Sequence, residues 1–149
     1  MKRLAALLLT GILAFSLTAC SQKVSEQEYY SAMGELADSY SLMADTLDLS
    51  LQTYSDTAEW WDAVDSLKQS NDEVVSTLEK EVTPYVPDSL AQQHKDIVSA
   101  ITAYSDAMQK IMAAKDAASA EEKQTAVDES TKLVAAASEQ WQAAIATLK

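Results

Sequence analysis

The sequence predicts an all-α protein, a four-helix bundle of up-down-up-down order built from two helical hairpins. Three observations lead there. Apolar residues recur every three or four positions over four long segments, which is the period of one helix face, and no segment alternates as a strand would. The 149 residues include only two glycines and two prolines, few for the turns of an all-β fold. The chain has one domain's length, and its 48% hydrophobic content is enough to close one core.

The first helix starts at Ser25, which with Glu28 three residues on forms the signature of a capping box. Its stripe is Tyr30, Met33, Ala37, Tyr40, Ala44, Leu47, Leu51 and Tyr54, widened by Tyr29, Leu36 and Met43. The second stripe runs Trp60, Val64, Leu67, Asn71, Val74 and Leu78, flanked by Trp61, Val75 and Val82, with Asp56 and Glu59 placed to cap it. Pro84 and Pro87 make Val82 to Asp88 the main irregular connection. The third stripe is Leu90, His94, Ile97, Ile101, Tyr104, Met108 and Ile111. Ser119 and Glu122 form a second capping box, ahead of Val127, Thr131, Val134, Ser138, Trp141, Ile145 and Leu148.

Long helices joined by short turns can bury such stripes only against each other, and a period near 3.5 suits shallow crossing angles. The expected core is Tyr40, Leu47, Val64, Leu67, Val74, Leu78, Ile97, Ile101, Tyr104, Met108, Val134, Trp141 and Ile145. The first and third helices align at an offset of 64, which sets Ala37 on Ile101, Tyr40 on Tyr104, Ala44 on Met108 and Leu47 on Ile111. Ala63-Val64-Asp65 also recurs as Ala126-Val127-Asp128. Duplication of one hairpin explains the match, and so does the ordinary abundance of these residues in helices.

The formal charge is −12, from 11 basic and 23 acidic residues. Such a surface repels phosphate backbones and anionic headgroups, so no nucleic-acid partner is expected. Met1, Lys2 and Arg3 form a basic start, and Leu4 to Leu17 an apolar run interrupted by Thr10, Gly11 and Ser16. That run falls short of the ~20 apolar residues of a membrane span and matches the apolar region of an export signal.

The run ends in Leu17-Thr18-Ala19-Cys20, which resembles the lipobox of bacterial membrane lipoproteins. The resemblance implies that residues 1–19 are a signal peptide that is removed, and that the Cys20 thiol receives a diacylglycerol. Residues 20–24 are then a lipidated cysteine with a short tether, and residues 25–149 are the bundle. Cys20 is the only cysteine, so an exported chain has no disulfide for it to join. Two or more acyl chains give stable attachment, which puts the protein on the extracytoplasmic face of a bacterial membrane. Ser21 permits outer-membrane sorting where the cell has one. The chain is similar to small helical-bundle lipoproteins of unknown function, which implies a location and a fold rather than an activity.

Chemistry is sparse. Outside the leader the only glycine is Gly34, in mid-helix, so there is no glycine-rich phosphate loop, and Ser-x-x-Lys does not occur. His94 is the only histidine, with Ala91 where a Glu-x-x-His di-metal helix needs its glutamate. Two readings of His94 stand: a core histidine bonded to a tyrosine hydroxyl or a carbonyl, or, with Met33, a haem ligand as in b-type four-helix cytochromes. Trp60-Trp61 is expected to straddle the stripe edge with one ring in the core and one at the rim, as packing or as a partner platform. Asn71 on an apolar stripe is expected to fix register, and the methionines outside the leader to fill the core rather than bind copper. The carboxylates read as solvated faces or as a weak calcium surface. No cofactor and no enzymatic activity are expected. The reading is a tethered protein acting through contacts with an unidentified envelope protein. Its alternative is a small-ligand or haem carrier using the bundle core or the His94 end.

Overall fold

The computed structural model describes residues 23–148. Among them it is all-helical, with four long helices and no strand. Helix α1 (Glu26–Gln52) begins at the expected box: the Glu28 N–H donates to Ser25 Oγ at 3.2 Å, and the Ser25 N–H donates to the Glu28 carboxylate at 2.9 Å. That pairing holds the Glu28 carboxyl below its usual range, chiefly through the Ser25 hydroxyl.

Helix α2 (Ala58–Thr77) starts one residue later than expected. Its cap is Thr57, whose hydroxyl accepts from the Trp60 N–H at 3.3 Å, while Asp56 stands outside the helix. The Asp56 carboxylate accepts instead from the Trp61 indole and the Lys123 ammonium.

Approaching Pro84, the backbone widens into a π turn over Leu78–Val82 and then tightens into a 3-10 turn over Thr83–Tyr85. Proline has no N–H and its ring obstructs the turn behind it, so a regular α-helix cannot continue through residue 84. The Thr83 N–H instead reaches back five residues to the Leu78 carbonyl, and the Thr83 hydroxyl donates to the same oxygen at 2.9 Å. A second 3-10 turn (Asp88–Leu90) leads into α3 (Ala91–Ala113). Helix α4 (Ala120–Ile145) is capped by Ser119, which accepts from the Glu122 N–H at 3.1 Å.

One apolar cluster runs through all four helices. Twelve of the thirteen expected core residues are buried, and the exception is Ile145, which is half-buried at the core's edge. The exception reflects the phase of α4. Val127, Val134 and Trp141 face inward as expected, but the positions between them are Ser130, Ala137 and Ala144 rather than Thr131, Ser138 and Ile145. At these three places the inward residue is the smaller neighbour, one position before the expected one. The small ones let α4 lie close against α3, and these two helices share the most extensive interface.

The middle layer is fixed by polar groups. Asn71 of α2 is fully buried; its Oδ1 accepts from the Tyr40 hydroxyl of α1 at 2.6 Å. Its two amide hydrogens go to α3, to the Ile101 carbonyl at 3.0 Å and to Ser105 Oγ at 2.6 Å. Ser105 donates in turn to Asp72, which pairs with Lys68 at the surface. Tyr40 also meets Tyr104 edge-on at 5.6 Å and the Trp141 ring at 4.6 Å, so residues of all four helices touch in this layer. Tyr40 and Tyr104, aligned by the offset of 64, are thus in direct contact.

Replacing Leu78 or Ile101 by alanine is expected to cost ~2–5 kcal/mol through lost transfer and a residual cavity. Asn71→Ala is expected to cost ~1–3 kcal/mol by leaving the Tyr40 hydroxyl without its acceptor. Urea unfolding followed by circular dichroism checks both, and a midpoint unchanged by Asn71→Ala would contradict the role given to the amide.

Candidate functional site

The sequence offers one titratable side chain of catalytic or ligand type on an apolar stripe, His94, and the structure seals it. The first turn of α3 carries it into the space between the start of α1 and the π turn, where it is 3% exposed. Its Nδ1 lies 3.3 Å from the Tyr29 hydroxyl and its Nε2 lies 3.0 Å from Thr83 Oγ1. The Thr83 hydroxyl proton is already given to the Leu78 carbonyl, so Thr83 can only accept from the ring. This assigns the proton to Nε2 and makes Nδ1 the acceptor for the Tyr29 O–H. Desolvation lowers the His94 pKa, partly opposed by the nearby Leu78 carbonyl, and burial pushes the Tyr29 phenol well above its ordinary value.

The polarity of this chain of bonds decides what the group can do. In a nucleophile and base pair the hydroxyl donates to the imidazole. Here the imidazole donates to the hydroxyl, which is the wrong sense for activating Thr83. As a ligand, His94 would have to release Tyr29 or Thr83. The residue of α1 that meets it is Tyr29, one turn before Met33, and Met33 is buried in the core.

An open depression of about 960 Å³ borders the site on its outer side. Thr83, Val86 and His94 form its inner wall, Lys23 and Glu79 flank it, and it spreads along the outer face of α3 as far as Asp106. Met33 does not line it. Its walls therefore mix charges with short apolar side chains, and among the described residues they include no methionine and no second histidine to complete a haem site.

The tryptophan pair lies at the other end of the helices, and both rings are buried, Trp60 at 7% and Trp61 at 3% exposure. The expectation that one would stand at the rim is corrected. Trp60 Nε1 donates to the Ser50 carbonyl at 2.8 Å, and Trp61 Nε1 to Asp56 at 2.8 Å. The two rings meet at right angles 4.9 Å apart, with Tyr54 edge-on against Trp60 at 4.8 Å. Asp56 also accepts from Lys123 of α4 at 3.0 Å, and the ammonium stands 5.8 Å from the Trp61 ring. The Trp61 bond first and the lysine second hold the Asp56 carboxyl below its usual range. Both indole donors are spent on this closure, while the buried hydroxyl of Tyr54 beside them makes no hydrogen bond among the described residues.

Met43 and Met108 are buried with Met33, and Met112 is packed against the core. Among the described residues no group of three or more His, Cys, Asp or Glu is arranged to hold a metal ion, and no helix is long and apolar enough to cross a membrane. Cys20 and the leader lie outside the described residues. Sequence reasoning missed Thr83 and preferred Tyr30 or Met33 to Tyr29. The available signals were a hydroxyl residue directly before Pro84 and a tyrosine as close to the start of the first helix as His94 is to the start of the third. No protein-family model, curated protein or solved structure matches the chain.

Because the folded state lowers the His94 pKa, the unfolded chain binds the proton more readily. Its contribution to stability is complete above about pH 6.5 and is lost as the pH falls from there through the lower folded value. The carboxyls held low, on Glu28, Asp56, Asp72 and Glu129, act in a more acidic range. The urea midpoint is therefore expected to fall between pH 7.5 and 5. In His94→Gln that step should be flat, and a step of the same size would assign it to another group.

Proposed function

We propose that the chain is a membrane-anchored, extracytoplasmic lipoprotein whose helical bundle is not an enzyme and acts through protein contacts in the bacterial cell envelope. The observation that carries this reading is Leu17-Thr18-Ala19-Cys20 behind a basic start and an apolar run, with the sole cysteine at the position that lipidation requires. The fold supports it from the other side. Lys23 pairs with Asp88, and the Val24 N–H donates to the Tyr85 carbonyl at 3.0 Å, so the chain is fastened to the bundle within a few residues of Cys20. Fully extended, residues 21–24 span at most ~14 Å.

An up-down-up-down order is part of the proposal. Contacts at the two ends support it: Gln93 with Thr147 beside the start of α1, and Asp56 with Lys123 and Asp62 with Lys115 at the opposite end. In that arrangement the His94 end lies next to the bilayer. The tryptophan end projects from it by about the length of α1, ~40 Å at 1.5 Å per residue. The acidic surface keeps the bundle off anionic headgroups, which suits a domain that is presented rather than embedded.

A second reading, a small-ligand carrier, has the depression beside His94 in its favour. Absorbance and native mass spectrometry of the protein purified from its own envelope distinguish the two readings, a stoichiometric bound small molecule supporting the carrier. For the anchor, Cys20→Ala is expected to abolish incorporation of a palmitate analogue and to shift the protein out of the membrane fraction with its helical circular dichroism intact. Continued labelling and membrane fractionation after that substitution would sink the lipoprotein reading.

A further inference from the structure

Helix α1 differs from the other three in its outer face. It carries six carboxylates and no lysine or arginine. Among the described residues none of the six takes part in an ion pair, although five lysines elsewhere are paired with carboxylates. Large exposed aliphatic side chains are rare in this bundle, and two of the three lie on the same side of α1, Leu42 at 55% and Leu49 at 60% exposure. They are seven residues apart, about 10.5 Å along the axis, and point away from the core face defined by Tyr40 and Leu47.

Exposed acids repeat with them. Asp38 stands one turn before Leu42 and Asp45 one turn before Leu49, with Glu35 a further turn back. The strip thus repeats an acid and a leucine at heptad spacing on a surface left exposed by the described residues. A solvated face gains nothing from two aliphatic side chains held in water, and hydrogen bonds within the strip do not compensate its charge.

We infer that the outer face of α1 from Glu35 to Leu49 is a docking strip for a cationic amphipathic helix of a partner protein. The inference deepens the reading that the chain acts through protein contacts. Charge complementarity fixes the occupant. A partner with lysine or arginine flanking leucines at heptad spacing meets both the uncompensated carboxylates and the exposed leucines. A second copy of this chain would bring Asp38 and Asp45 against their own equivalents, and an anionic membrane surface would be repelled.

The test uses the full chain in a neutral detergent, where the outcome does not depend on lipidation of Cys20. The probe is a synthetic lysine–leucine peptide with its leucines on one helix face, and the control is its scrambled isomer, both read by fluorescence anisotropy against detergent alone. The amphipathic peptide is expected to bind at least tenfold more tightly than the scrambled one. Leu42→Ser with Leu49→Ser should remove at least tenfold of that affinity, and so should Asp38→Asn with Asp45→Asn. Glu73→Gln with Glu139→Gln, which takes the same charge from exposed positions on α2 and α4, should leave it within twofold. Equal binding of the two peptides, no loss from the leucine pair, or an equal loss from the α2 and α4 pair would overturn the strip.

Discussion

Asn71 has no water to turn to. A carboxamide in the centre of a helical core must be satisfied by its neighbours or it destabilises the fold, and here its acceptor and both of its donors are committed to other helices. A slip of one helical turn between α2 and either neighbour would strand the amide and the Tyr40 hydroxyl. The aromatic contacts that Tyr40 makes with Tyr104 and Trp141 extend the same restriction to α4. Apolar stripes of Ala, Val, Leu and Met would pack nearly as well in several registers. The amide selects one.

The two ends of the helices follow the same rule with different chemistry. At one end Pro84 forces the backbone out of the α-helix, and the Leu78 carbonyl collects the Thr83 N–H and the Thr83 hydroxyl, whose oxygen in turn takes the His94 ring. At the other end a single carboxylate, Asp56, receives an indole N–H and an ammonium, closing the α1–α2 turn against the start of α4. In each case a polar group that looks functional in the sequence is consumed by a structural demand. That accounts for His94 and Trp61 together.

What could be read in advance follows from which interactions are periodic. The stripes of α1 to α3, the Ser25 box and the proline-bearing connection were legible, because apolar spacing and capping chemistry are local. The phase of α4 was not, since an alanine-rich face carries nearly equal signal at Ala137 and Ser138, and only the proximity of α3 decides between them. Asp56 looked like a cap because acids cap helices; its preference for Trp61 and Lys123 depends on residues 5 and 67 positions away. Tyr29 and Thr83 were hidden for the same reason, as partners whose meaning appears only when three separate elements surround one imidazole. The acid and leucine repeat on α1 was visible in the sequence as spacing, but exposure was needed to separate it from the core stripe beside it.

The placement of the indoles gives the molecule an uneven optical character. Trp60 and Trp61 sit together in the Asp56 closure, Trp141 stands in the Asn71 layer, and the region around His94 contains tyrosine but no tryptophan. Their emission therefore samples the tip and the waist of the bundle and is blind to the end where residue 23 emerges. Loosening of the His94 end alone leaves the spectrum unaltered, whereas opening of the Asp56 closure wets two coupled indoles at once and moves their emission to longer wavelength. The same protein can thus look rigid or mobile by fluorescence, according to which end is disturbed.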